Sequence, residues 1–148
     1  MRIPGARCLD LFAGTGALGL EALSRGADSV VFVEKSAQAV AMLRNNIGLL
    51  DAEGASVIQA DAVGWLRSEH NQAFDIAFLD PPFAADMLDD LCRLLEEQDL
   101  LANDALVYLE QDKSRPEPRL PDGWWLLKNK TAGGVRYMLA QRQDNQEH

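Results

Sequence analysis

Two carboxylate-bearing segments, seventy residues apart, carry the chemistry that this chain displays in its sequence. The first runs Asp10-Leu11-Phe12-Ala13-Gly14-Thr15-Gly16-Ala17-Leu18-Gly19, and its glycines Gly14, Gly16 and Gly19 satisfy a G-x-G-x-x-G spacing. Glycine is needed in such a loop because the backbone must turn tightly and approach a ligand with no Cβ in the way. The pattern alone is a weak signal. Here it lies between an apolar, strand-like run and a helical run, and Glu34 with its neighbour Lys35 follows twenty residues beyond Gly14. A carboxylate at that point accepts two hydrogen bonds from a ribose diol; the bland alternative is a surface glutamate ending a strand. The second segment, Asp80-Pro81-Pro82-Phe83, joins an acceptor, a stiff turn and an aromatic ring. Prolines leave such a turn few conformations, so little ordering is needed on binding.

Asp10 separates two cofactor classes. Ahead of the first glycine, dinucleotide enzymes carry mostly apolar residues, whereas an acidic residue four positions before Gly14, in D-x-F-x-G-x-G, suits the ammonium of a methionine moiety. Asp61 can accept a hydrogen bond from an adenine amino group, with Ala62 supplying a backbone donor; a helix N-cap is the alternative role, and the two are compatible. The expected cofactor is therefore S-adenosylmethionine, held by Asp10, Phe12, Gly14, Gly16, Gly19, Glu34, Lys35, Asp61 and Ala62. The expected acceptor is the exocyclic amine of a base, a poor nucleophile because its lone pair is delocalised into the ring. Acceptors fixed on its N–H groups, namely the Asp80 side chain and the Pro81 carbonyl, localise that lone pair and aim it for in-line displacement. Stacking on Phe83 adds ~1–3 kcal/mol, and extrusion of the base from its stack is expected. Asp-Pro-Pro after a strand is also an ordinary loop start; the context of the Asp10 loop favours the functional role. Neither Cys8 nor Cys92 lies beside the turn, which argues against a covalent cysteine mechanism.

The elements that position these residues alternate between short apolar strands and helices, the pattern of βαβ units on a parallel sheet. Strands are expected over 7–12, 29–33, 56–59, 74–79 and 105–110, with helices over 17–25, after Ser36 with apolar face Val40, Leu43, Ile47 and Leu50, after Asp61 with Trp65 and Leu66, and through Met87, Leu88, Leu91, Leu94 and Leu95. Gly26 is a plausible helix stop. Residues 115–121 read as loop, and strands 124–130 and 135–142 flank Gly133-Gly134 as a closing hairpin. Trp124 and Trp125, adjacent in a strand, face opposite sides, so one is expected in the core and one outside. Asp10, Glu34 and Asp61 all fall at strand C-terminal ends, the edge of an open α/β sheet where ligands bind. His70 and His148 receive no role, for want of a partner in reach by sequence.

The bulk properties fit this reading. A chain of 148 residues with 47% apolar content suits one domain, residues 1–148, with a real core. No apolar stretch is long enough to span a bilayer, the start lacks a secretory pattern, and two widely spaced cysteines make neither a disulfide framework nor a zinc site. A cytoplasmic monomer without membrane or metal is the expectation. The net charge of −9 argues at first against a nucleic-acid partner. However, Lys113, Arg115, Arg119, Lys128, Lys130, Arg136 and Arg142 stand against only Glu117 and Asp122, so residues 113–142 carry +5 and the remainder −14. A merely solvated face explains that distribution equally well.

The run from Cys8 to Arg25, the Asp80-Pro81-Pro82-Phe83 turn and the Gly133-to-Arg142 hairpin together resemble the RsmD-type 16S ribosomal RNA guanine-N2 methyltransferases of bacteria. The resemblance covers nearly the whole chain. It implies a Rossmann-like class I methyltransferase fold, α/β, with a mostly parallel seven-stranded sheet, helices on both faces and a C-terminal antiparallel hairpin. It further implies S-adenosylmethionine as donor, a guanine of 16S rRNA or the small ribosomal subunit particle as acceptor, and Asp10, Gly14, Glu34 and Asp61 as cofactor residues, with Asp80 to Phe83 on the guanine amine. Proteins of this type carry a basic segment ahead of the first strand; six residues precede Arg7 here, so the expectation is of a chain apparently without it. Alternatives are transfer to an adenine-N6 or protein amine, a cofactor-binding scaffold without turnover, and an NAD-dependent oxidoreductase. Against the last stand Asp10, the proline turn and the want of a Tyr-x-x-x-Lys constellation.

Overall fold

A computed structural model of the chain describes residues 2–82 and 87–143. The element order is β1 (Arg7–Asp10), α1 (Ala17–Ser24), β2 (Ser29–Glu34), α2 (Ala37–Leu49), β3 (Ala55–Gln59), α3 (Ala62–Arg67), β4 (Phe74–Leu79), α4 (Leu88–Glu97), β5 (Leu101–Asp112), β6 (Trp124–Ala132) and β7 (Val135–Arg142). The strands form one sheet in the order β3-β2-β1-β4-β5-β7-β6. Strands β1 to β5 run parallel, and β7 pairs antiparallel with both β5 and β6. The expected α/β sheet with its terminal hairpin is what the chain adopts.

Because successive side chains in a strand point to opposite faces, the central parallel strands feed two cores. Leu9, Leu11, Ala77, Leu79, Val107 and Leu109 pack on one face against Leu66 of α3 and Leu91, Leu94 and Leu95 of α4. Cys8, Val30, Phe32, Ile76 and Phe78 pack on the other against Ala22 of α1 and Leu43 of α2. Helix α4 has only ten residues, a length marginal in isolation. Full burial of its leucines, each contributing ~1.5–3 kcal/mol, is what holds it.

Several boundaries differ from the sequence expectation, for local reasons. Strand β1 ends at Asp10, and Leu11 and Phe12 already belong to the turn into the glycine loop, although the Leu11 N–H still bonds the Phe78 carbonyl at 3.2 Å. Strand β5 begins at Leu101 rather than Ala105: its pairing with β4 jumps from Phe74↔Leu101 to Ile76↔Leu106, and Asp104 in this bulge has φ +64°. That irregularity breaks the two-residue alternation from which strands are read. Leu50 lies past the end of α2 and is exposed, while Val40 and Leu43 are buried as expected. Met87 precedes α4 as its N-cap residue. Gly26, at φ +100°, donates to the Leu23 carbonyl and ends α1 as anticipated. Of the tryptophan pair, Trp124 is buried and Trp125 is 61% exposed. His70 does have a partner: its Nε2 lies 2.7 Å from the Trp65 carbonyl, and its ring sits 4.1 Å from the Trp65 ring.

Candidate active site

The C-terminal ends of β1, β2 and β4 lie side by side, since Asp10 is in register with Phe32 on one side and Phe78 on the other. The loop after β1 is pinned from below by backbone bonds, Ala13 N–H to the Val33 carbonyl (3.1 Å) and Gly16 N–H to the Ala13 carbonyl (2.8 Å). Two of its glycines are required by geometry. Gly16 caps α1 at φ +96°. A Cβ on Gly19 would overlap the Phe32 ring, so this position sets how closely α1 lies on β2.

The acidic residues following the loop are tied to backbone. Glu34 Oε1 accepts from Gly14 N–H at 2.7 Å and Oε2 from Ser36 N–H at 2.9 Å. Each carboxylate oxygen retains a second lone pair, so a ribose diol can still be received. Asp61 Oδ2 accepts from Gly64 N–H at 3.1 Å as the N-cap of α3, leaving Oδ1 for a ligand. Asp10 lies deeper, 2% exposed, and its Oδ2 accepts from Gly19 N–H at 3.1 Å. Burial pushes its carboxyl up to about 7, against the lowering effect of the Gly19 bond and with help from the charges of Asp80 and Glu34.

A cavity of about 660 Å³ opens at this edge, within the size of small-molecule and cofactor sites. Seven expected site residues line it: Phe12, Glu34, Lys35, Asp61, Ala62, Asp80 and Pro82. Leu11, Val33, Ser36, Ala60 and Met87 complete the wall. Leu11 and Phe12, and Asp80 and Pro82, distant in sequence, thus meet around one space. Asp10 and Gly19 stand beneath the loop rather than on this wall, Gly14 is joined to it through Glu34, and Pro81 is buried. Phe83 lies outside the described residues.

Asp80 is half-buried, and burial raises its carboxyl to about 6, with the neighbouring Glu110 adding to the rise. Glu110 was not singled out from the sequence. Its signal was its place as an acidic residue on the fifth strand, at the level of Asp80, since Leu79 and Leu109 are in register. It accepts from the Tyr108 hydroxyl at 3.1 Å. Cys8 and Cys92 are free and buried, and burial raises their thiols to about 11 and about 12, so neither is a ready nucleophile. Among the described residues no three His, Cys, Asp or Glu side chains cluster to hold a metal, and no helix is long and apolar enough to cross a membrane.

The sheet order, the glycine loop after β1 and the ligand-sized cavity at the strand ends define a class I methyltransferase fold. Residues 1–141 match the family described as Conserved hypothetical protein 95. The chain is 40% identical over 141 residues to ribosomal RNA small subunit methyltransferase D of Escherichia coli K12, covering 95% of this chain and 71% of that protein. It is 42% identical over 139 residues to the protein of the same name from Haemophilus influenzae, covering 92% and 72%. The solved structure of YhhF from Escherichia coli superposes with a TM-score of 0.92 at 39% identity, over 97% of this chain and 81% of that one. The chain belongs to this family, the RsmD methyltransferases.

Proposed function

We propose that this protein transfers a methyl group from S-adenosylmethionine to the exocyclic N2 amine of a guanine in 16S ribosomal RNA. The observation that carries this reading is the meeting of Asp80 and Pro82 with Phe12, Glu34, Asp61 and Ala62 around one cavity. A cofactor loop and an amine-binding turn are useful together only if the donor and the acceptor share a space. The names of the Escherichia coli and Haemophilus influenzae relatives support small-subunit RNA as the acceptor.

The residues present suit the cofactor. The cavity has the volume, Glu34 offers acceptors to a ribose, Asp61 and the Ala62 N–H offer an acceptor and a donor to an adenine, and Lys35 lies beside the Glu34 carboxylate. Asp10 and the glycine loop serve the methionine end. When bound, S-adenosylmethionine supplies an electrophilic methyl group on a cationic sulfonium. The acidic edge favours that charge.

On the acceptor side, Asp80 and the Pro81 carbonyl receive the two N–H groups of the guanine amine, and Phe83 stacks on the base. The two prolines keep these acceptors in place before the base arrives, so the contribution is positioning and preorganised electrostatics. Methylation leaves the amine nitrogen positively charged. One of its protons then passes to the Asp80 carboxylate or to water, and the raised affinity of Asp80 for protons suits it to that role. On this reading residues 1–148 work as one domain, monomeric and cytoplasmic, with no metal step.

Asp80→Ala tests these roles. Calorimetric titration with S-adenosylhomocysteine should give an affinity close to that of the parent, while transfer to small-subunit RNA is lost. Simultaneous loss of both, with the circular dichroism spectrum unchanged, contradicts the assignment.

A further inference from the structure

Strand β7 divides its side chains between two faces. Met138 and Ala140 enter the core under α4. Their alternates Val135, Tyr137, Leu139 and Gln141 turn to the opposite face, where they are only partly covered. Side chains paired directly across an antiparallel ladder share a face. The register therefore puts Trp125 (↔Gln141), Lys128 (↔Leu139) and Lys130 (↔Tyr137) of β6 on that same face, a bulge after Leu126 restoring the phase. Helices α1 and α2 pack on β1, β2 and β3 on this side. Among the described residues, Trp125, Lys128 and Lys130 remain exposed.

This face runs into the active site. Strand β6 is parallel to β5, so its Lys130 end lies at the same sheet edge as Asp80. The register places Glu110, Tyr137 and Lys130 in one row, next to Leu79 and Leu109, which pair just before Asp80. Three strand steps of ~4.8 Å put Lys130 roughly 14 Å from the acceptor turn. The charge also changes along the row. The edge at Asp10, Glu34, Asp61, Asp80 and Glu110 is acidic, whereas the outer row presents Lys128 and Lys130; Arg136 and Arg142 of the same hairpin lie on the Met138 face, against Glu117 and Glu96. A polyanion is repelled by the first and attracted by the second.

The geometry points to this outer sheet face as the platform for the RNA strand adjoining the target guanine, with Lys128 and Lys130 on phosphates and Trp125 under a base. The assignment rests on the proposed rRNA methylation and names the surface that holds its substrate. Stacking rings and cations on an open sheet are the usual means of gripping unpaired RNA. Lysines on an edge strand have another use, discouraging strand addition by a second copy, and the test separates the two.

The probe is in-vitro-transcribed 16S rRNA, with the isolated small subunit run in parallel. Filter binding is measured across a salt series for the parent, Trp125→Ala and the double variant Lys128→Ala/Lys130→Ala; all three positions are exposed, so the fold is preserved. The double variant should bind about ten-fold more weakly, and its salt dependence should fall by about 1.4, at ~0.7 per lost single-strand phosphate contact. Trp125→Ala should lose affinity with its salt dependence unchanged. S-adenosylhomocysteine binding should be unaltered in both. Parent-like RNA affinity and transfer in both variants would overturn the platform while leaving the methyltransferase reading intact. So would a double variant that self-associates in sedimentation but binds RNA normally. A parent that binds S-adenosylhomocysteine yet neither binds nor methylates either RNA probe would overturn the rRNA reading and the platform with it.

Discussion

The two halves of the sheet treat their carboxylates differently. On the β1–β3 side each acidic group is held by backbone N–H: Asp10 by Gly19, Glu34 by Gly14 and Ser36, Asp61 by Gly64. Across the cavity, Asp80 receives no such bond among the described residues. Burial, with the nearby Glu110, raises its proton affinity. Fixed, partly satisfied acceptors suit a cofactor of constant shape. A half-buried carboxylate of raised proton affinity, on a turn stiffened by Pro81 and Pro82, suits an amine that must be gripped, methylated and released.

The strongest way to break this division is to cross the two functions. Glu34→Ala should weaken S-adenosylhomocysteine by about 10–100-fold, the scale of one or two hydrogen bonds to a charged group, while the rate at saturating cofactor changes little. Asp80→Asn should do the reverse, with single-turnover rate falling about 10²–10³-fold and cofactor affinity within two-fold of the parent. If both variants lose the same quantity, the halves are not separate.

A second contrast concerns protons. In the folded chain Asp10 holds its proton up to about 7, against an ordinary value near 3.8. The folded state thus binds more protons than the unfolded chain between those values. This contribution to stability is fully present below about pH 4 and is lost as pH rises to about 7, on the order of 4 kcal/mol in all. Urea melts at pH 5 and pH 8 should show the fall for the parent and little of it for Asp10→Asn. In the proposed role Asp80 works as a carboxylate, so transfer should decline as pH drops through about 6; a rate flat from pH 8 to 5 would remove it from the chemistry.

Smaller effects sharpen the cofactor half. Gly19→Ala drives a methyl into the Phe32 ring and should cost about 1–3 kcal/mol by thermal melting. Gly133→Ala, in the distant hairpin, meets no atom within 4 Å, and its positive φ is the only strain. Asp61→Ala removes the α3 cap and should cost about 1 kcal/mol of stability, together with a loss of cofactor affinity that a cap alone does not explain.

Much of this was legible in the sequence because the informative signals are local. The glycine spacing, Asp10, Glu34 and the proline turn could each be read within a few residues, and the alternation of strands and helices gave the sheet. What escaped depends on pairing between distant segments. The bulge in β5 at Asp104 arises from its register with β4, and Glu110 gains importance only because Leu109 lies beside Leu79. The shared face of Trp125, Lys128 and Lys130 likewise depends on a bulge in β6 that no periodicity announces. The burial of Asp10 beneath the glycine loop, rather than on the cavity wall, required α1 to be in place.

The most direct test of the whole account is the product itself. The protein would be incubated with 16S rRNA or small subunits from cells without this activity, and with methyl-labelled S-adenosylmethionine. The RNA would then be digested to nucleosides and analysed by mass spectrometry. The account predicts label in N2-methylguanosine and none when Asp80 is replaced by alanine. Label in N6-methyladenosine, in protein, or in no product despite bound cofactor would contradict it.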